Sequence, residues 1–202
     1  MKKIIFATKN EGKVREISEM LQGTGVKLVS LNGIENPPKI VEDGKTYRDN
    51  ALKKARIIAE YTGQAVLADD SGIEVAVLEG EPGIYSARYA GTNATDEENN
   101  SKLLSRLKGI PENKRGASFF CALVLCRPDG HYDLFEAEWK GKIIDDARGS
   151  NGFGYDPIFQ ASDFGKTAAE LPPDIKNKVS HRGQAFEKLK KYLLNHMEEN
   201  GA

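Results

Sequence analysis

Neither sign of charge is in excess. Lysine and arginine number 29 against 30 aspartates and glutamates, so the chain lacks the overall basic surplus common in nucleic-acid binders and leaves room only for a local basic cleft. Any anionic ligand is therefore small and locally recognised. Cysteine is nearly absent: Cys121 and Cys126 share one apolar run, and their odd separation puts them on opposite faces of a strand, which argues against a disulfide between them. Long hydrophobic runs are missing too. The stretch Met1 to Ala7 carries two lysines and only a short apolar segment before Thr8-Lys9-Asn10, so it reads as neither signal peptide nor membrane span, and a cytoplasmic location is expected. No repeat, low-complexity tract or heptad is present. What is left, at 202 residues, is one domain or a two-lobed unit able to bury a sizeable core.

The most informative stretch is Val66-Leu67-Ala68-Asp69-Asp70-Ser71-Gly72. An apolar run of strand character meets two adjacent carboxylates, which repel and disfavour one another's ionisation unless a cation or hydrogen-bond donors compensate. Two readings fit: a functional site, with a metal as one such cation, or a strand followed by an Asp-Ser-Gly turn. Upstream, Lys3 to Thr8 has a buried-strand pattern and Asn10 opens a helix with Val14, Ile17 and Leu21 at helical spacing. The turn between them does not match the Walker pattern. It nonetheless sets Lys9 and Lys13 at a helix N-terminus, where the macrodipole disfavours cations unless an anion docks. A phosphate chain satisfies this, and so do two solvated lysines partly offset by Glu11.

A second strand, Val26 to Leu31, leads through Pro37-Pro38 and Glu42-Asp43-Gly44 to a helix that Thr46 and Asp49 open and Gly63 ends, with Lys54 beside its apolar stripe. After Gly72 the pattern predicts a further strand, Ile73 to Leu78, which makes Asp69 to Gly72 a link between two strands. An aromatic loop opened by Gly80-Glu81-Pro82-Gly83 and ending at Gly91 follows, then a helix with Thr95 and Glu98 as capping box. Ala117 to Arg127 and His131 to Lys140 form a hairpin around Pro128-Asp129-Gly130. The sheet is accordingly mixed. The glycine-rich loop Gly149 to Asp156 allows close backbone approach to a ligand, and Phe153 and Tyr155 offer flat faces. The last helix follows Ser180-His181-Arg182-Gly183 and carries Phe186, Leu189, Leu193 and Met197 on one apolar face.

Taken together, Thr8-Lys9-Asn10 with Lys13, Glu42-Asp43-Gly44, Asn50-Ala51 with Lys54-Ala55, Ala68 to Gly72, Pro82 to Tyr89, Gly152 to Pro157, Lys166-Thr167 with Ala169-Glu170-Leu171, and Ser180 to Gly183 resemble, in order and spacing, the inosine triphosphate pyrophosphatase family, also called XTP/dITP diphosphatases. The match spans essentially the whole chain. It implies an α/β fold, a mixed twisted β-sheet flanked by helices, with two lobes and a central active-site cleft in a single domain over 1–202. It implies Mg2+-dependent hydrolysis of the triphosphates of hypoxanthine and xanthine (ITP, dITP, XTP) to monophosphate and pyrophosphate, cleansing the nucleotide pool, by a cytoplasmic homodimer. By position, Thr8, Lys9, Asn10, Glu11, Gly12, Lys13 and Lys54 take the phosphates. The resemblance implies that Glu42 and Asp70 bind magnesium and that Asp70 is also the proton acceptor. Ser71, Phe153, Gly154, Tyr155, Asp156, Lys176, His181 and Arg182 correspond to further substrate contacts.

The residue chemistry agrees: magnesium is typically held by one or two carboxylates plus phosphates and waters. Adjacent strand residues face opposite ways, so Asp69 is expected to support the site rather than share the ion with Asp70. Two alternatives stand beside this reading. One is a nucleotide-binding regulatory module without turnover; the other is a septum-inhibitor-like pyrophosphatase acting on modified pyrimidines, against which the Ser180-His181-Arg182 ending argues.

Overall fold

In the computed structural model residues 2–198 are described, apart from the side chains of Lys2, Glu16, Met197 and Glu198; the expected apolar role of Met197 thus lies outside the described residues. The elements run β1 (Lys2–Phe6), α1 (Glu11–Met20), β2 (Val26–Ser30), α2 (Tyr47–Thr62), β3 (Val66–Val75), α3 (Asp96–Arg106), β4 (Gly116–Cys126), β5 (Tyr132–Ile143), β6 (Phe159–Ala161), α4 (Pro173–Val179) and α5 (His181–Glu198). The strands form one sheet of order β2-β1-β3-β4-β5-β6. β1 lies parallel to β2 and β3, whereas β5 and β6 are antiparallel, so the sheet is mixed. At the β4–β5 turn the Arg127 N–H donates to the His131 carbonyl at 2.8 Å and the Gly130 N–H to the Arg127 carbonyl at 3.0 Å.

The chain divides into two compact units, the described residues of Met1–Asp70, Cys121–Ala137 and Gly183–Ala202, and those of Ser71–Phe120 and Glu138–Arg182. In the first unit the period-2 alternation of β3 sorts its residues between two apolar clusters. Leu67 packs with Ile4, Phe6, Ile17 of α1 and Phe186 of α5. Val66 and Ala68 pack with Ala51, Ala55 and Ile58 of α2. Each fully buried valine, leucine, isoleucine or phenylalanine side chain here contributes about 1.5–3 kcal/mol. The cysteines follow the same rule: Cys121 joins the first cluster and Cys126 the second, and both are buried thiols outside any disulfide.

Helix ends are set locally. The Asn10 side chain accepts from the Lys13 N–H to start α1, and Thr46 accepts from Asp49 N–H to start α2, which Gly63 ends in the left-handed conformation. In the second unit Thr95 and Glu98 form the expected capping box on α3. Ile73, Val75, Leu103, Leu107, Phe119, Trp139 and Phe159 build its core, with Phe119 and Phe159 in edge contact at 4.6 Å.

Three expectations are corrected. Asp69 to Gly72 is no link: β3 runs unbroken for ten residues through it. The strand expected over Ile73 to Leu78 stops at Val75, and Ala76–Leu78 is a 3-10 turn. The loop after Pro82 is 3-10 helical over Gly83–Arg88. The first error has a physical cause. Asp-Ser-Gly favours a turn locally, but donors from two helices supply what the aspartates need within the strand. Among the described residues no helix is long and apolar enough to cross a membrane.

Candidate active site

In the first unit, β3 carries two carboxylates to opposite sides. Asp69 is buried and its Oδ2 lies 3.2 Å from Lys13 Nζ on α1. Asp70 Oδ2 accepts from Asn50 Nδ2 on α2 at 3.0 Å. Asn50 also accepts, through Oδ1, the Gly44 N–H at 2.8 Å, so it ties the Glu42-Asp43-Gly44 loop to Asp70. Glu42 Oε1 accepts from Lys54 Nζ at 2.8 Å. Burial opposes the charge on Lys54, but the combined field of Asp69, Glu42 and Asp70 overcomes it and holds the ammonium above the ordinary lysine pKa. Asp70 goes the other way for a carboxylate. Burial pushes it up to about 6 against the pull of Lys54 and the Asn50 hydrogen bond, and Glu42 and Asp69 add to the rise.

Thr8, Lys9, Lys13, Glu42, Lys54 and Asp69 line a pocket of about 500 Å³. Thr8 and Asn10 also brace the turn that opens it. Thr8 Oγ1 accepts the Asn10 N–H at 3.1 Å, and Asn10 Oδ1 accepts the Lys13 N–H at 3.1 Å. The Glu11 carboxylate accepts from Ser30 Oγ and from Asn32 Nδ2, which holds its pKa down. Its side chain thus fastens α1 to the end of β2. Gly12 follows in the first turn of α1.

This donor set fits a hard divalent cation. Its acidic members are carboxylates alone, and their mutual repulsion, which helps raise Asp70, is relieved by a positive ion. Among the described residues no three acidic, His or Cys side chains converge into a cage, an arrangement that magnesium, which keeps waters and phosphate oxygens, does not require.

The second unit holds the remaining residues expected at the site. Phe153 is 52% exposed, with Lys176 Nζ and the Arg182 guanidinium each 5.3 Å from its ring centroid. Asp156 Oδ2 accepts the Phe153 N–H at 2.9 Å and the Lys176 ammonium as well. Arg182 Nη2 donates to Ser71 Oγ at 3.1 Å. His181 starts α5 with its ring stacked on Phe119 at 4.8 Å. Gly154 donates its N–H to Asp96 Oδ2 at 2.6 Å and accepts from Asn100 Nδ2 at 3.0 Å. Tyr155 corrects an expectation: it is buried and its hydroxyl donates to the Ser86 carbonyl at 2.8 Å. Burial pushes that hydroxyl well above the ordinary tyrosine range. It is a core residue, and the flat face on offer is Phe153.

Asn50, Asp96 and Asn100 are absent from the residues expected at the site. Asn50 stands in one of the motifs, yet its position in the first turn of α2 reads simply as a helix start. Asp96 and Asn100 lie on the polar side of a helix whose apolar face alone is conspicuous.

Comparison with known proteins places this geometry. A dITP/XTP pyrophosphatase of Geobacter sulfurreducens is 51% identical over 193 residues, covering 96% of this chain and 97% of that one. Another from Bacillus licheniformis is 48% identical over 193 residues, 96% of this chain and 98% of its own. The solved structure of a HAM1 protein from Coxiella burnetii superimposes with a TM-score of 0.91 at 42% identity, covering 96% of this chain and all of that one. With the model of the Ham1 family matching residues 4–192 as well, the chain belongs to the Ham1 family.

Proposed function

We propose that this protein hydrolyses purine nucleoside triphosphates bearing hypoxanthine or xanthine, such as ITP, dITP and XTP, to the monophosphate and pyrophosphate with magnesium. It does so as a homodimer in the cytoplasm, cleansing the nucleotide pool. The observation that carries the reading is the pocket that sets Lys9, Lys13 and Lys54 beside Glu42 and Asp69 at the start of α1. Lys9 and Lys13 at the N-terminal turn of α1 and Lys54 from α2 match the charge of a triphosphate, and the hard Glu42 carboxylate beside Lys54 matches its metal. The dITP/XTP pyrophosphatase activity for which the relatives are named supports the same class of substrate.

Lys9, Lys13 and Lys54 neutralise the polyphosphate and the pyrophosphate that departs. Glu42 and Asp70 would hold the magnesium, which would supply polarisation of the phosphoryl group when bound. Asp70 accepts the proton of a water whose oxygen bonds to the α-phosphorus; the bond from that phosphorus to the bridging oxygen breaks, and its electron pair leaves on pyrophosphate. Asn50 fixes Asp70 for this role. In the second unit Phe153 stacks on the purine, and Arg182 with His181 donates where hypoxanthine has an oxygen and adenine an amine, leaving polar groups unpaired against adenine.

The test is direct: incubate the purified protein with ITP and magnesium and assay pyrophosphate. Release of pyrophosphate with inosine monophosphate (IMP) supports the proposal. Binding of several purine triphosphates without release overturns it in favour of a regulatory module.

A further inference from the structure

α3 sets Asp96 and Asn100 one turn apart on the same face. Both engage one residue: Asp96 Oδ2 holds the Gly154 N–H at 2.6 Å and Asn100 Nδ2 the Gly154 carbonyl at 3.0 Å. Nothing else about Gly154 fixes the loop sterically. Its φ is +63°, and a Cβ added there would meet no atom within 4 Å. The neighbouring ring of Phe153 is more than half exposed, and its other restraints are the Asp156 carboxylate on its N–H and the Lys176 and Arg182 cations 5.3 Å from its centroid. The clamp also carries a cost. Among the described residues the buried Asn100 Oδ1 has no hydrogen-bond partner, a loss that an aliphatic residue at this position in α3 avoids. The same helix turn braces a second loop, because Asn99 Oδ1 accepts the Ala90 N–H at 2.8 Å.

We infer that Asp96 and Asn100 are positioning residues which set the Phe153 ring for purine stacking by clamping both backbone groups of Gly154. This rests on the reading of Phe153 as the base platform. A stacking platform serves ground state and transition state alike, so its misplacement raises KM and leaves kcat unchanged.

The experiment compares Asn100→Leu, Asp96→Ala and Asp96→Asn with the unaltered protein, and repeats the first two in a Phe153→Ala background. Thermal unfolding checks that each variant folds. With base stacking as the scale, Asn100→Leu and Asp96→Ala are each expected to raise the KM for ITP and the calorimetric Kd of IMP by about three- to tenfold. The kcat and inhibition by inorganic pyrophosphate stay within about twofold. Asp96→Asn keeps an acceptor and behaves as the unaltered protein. In the Phe153→Ala background the increment vanishes.

A folded variant with unchanged KM overturns the inference, as does an equal increment without the Phe153 ring or an equal weakening of pyrophosphate. Either substitution suffices if the other fails to fold, since each releases a different group of Gly154. Should Phe153→Ala itself leave the KM for ITP unaltered, the base-platform reading fails. Should it raise KM while the clamp variants do not, only the clamp fails.

Discussion

The Asn50 amide donates to Asp70 Oδ2 at 3.0 Å while its oxygen receives the Gly44 N–H at 2.8 Å, so a single buried side chain joins the strand carboxylate to the loop that carries Glu42. Gly44 suits the arrangement because a Cβ there would lie 2.7 Å from Asn50 Oδ1. Truncation at Asn50 releases both partners. Asn50→Ala is expected to lose about 1–3 kcal/mol of stability and to lower kcat by about tenfold or more through the displaced carboxylates. Urea unfolding and ITP turnover check the two effects, and normal turnover in a destabilised variant would separate Asn50 from the chemistry.

Asp70 supplies a pH test in the metal-free protein. Its folded pKa of about 6 stands above the ordinary 3.8, so the folded state binds this proton more tightly than the unfolded state. The stability thus gained is fully present below the unfolded pKa and is lost as pH rises through about 6. Asp70→Asn keeps an acceptor for Asn50 and removes that loss. With chelator present it should be more stable than the unaltered protein by up to about 3 kcal/mol near pH 8, the gap closing toward pH 4. Hydrolysis should be abolished. A stability gap that does not change with pH contradicts the assignment, and near-normal turnover removes Asp70 from catalysis.

Lys13 divides its charge between a buried aspartate and the pocket. Lys13→Met takes the ammonium away from Asp69, whose side chain is only 4% exposed, while the field of Lys54 still reaches it. The expected loss of stability is therefore at the lower end of about 1–3 kcal/mol. The KM for ITP should rise by about tenfold, with a smaller change in the Kd of IMP, which lacks the departing phosphates. Equal weakening of ITP and IMP would argue against a role at the pyrophosphate.

Base selection is tested at Arg182, whose guanidinium lies near Phe153 and bonds Ser71 Oγ. Arg182→Ala is expected to lower kcat/KM for ITP by about a hundredfold, as for the loss of a charge-assisted hydrogen bond to a substrate oxygen. Any turnover of ATP should fall by a smaller factor. A common factor for both nucleotides would place discrimination elsewhere.

The strands and helices were legible where periodicity and caps agree. Val14, Ile17 and Leu21 mark α1, Thr46 and Gly63 bound α2, and the alternate assignment of Leu67 and Ala68 to two clusters follows from strand period alone. Local chemistry misled at Asp69 to Gly72, because the partners that let β3 continue are Lys13 and Asn50, 56 and 20 residues distant. The opposite orientations of Asp69 and Asp70 were readable; their partners were not. Phe153 and Tyr155 show the same boundary. Both are aromatic, two apart in one glycine-rich loop, and only packing makes one a surface ring and the other a core residue bonded to Ser86.

That loop allows a contrast between two of its glycines. Gly152 has φ +81°, and a Cβ there would collide with Asp156 Oδ2 and come within 2.7 Å of Lys176 Nζ. Asp156 is the acceptor that holds the Phe153 N–H, so Gly152→Ala strains the backbone and also displaces the ion pair beside the ring. Gly154→Ala meets only the strain, about 1–2 kcal/mol, because its φ of +63° is left-handed but the space around it is open. Both variants should fold with lowered Tm. The KM for ITP should rise by about tenfold or more in Gly152→Ala and by much less in Gly154→Ala, whose hydrogen bonds to Asp96 and Asn100 involve backbone groups that alanine retains. Equal KM values in the two variants would show that the Asp156–Lys176 pair does not govern the position of Phe153.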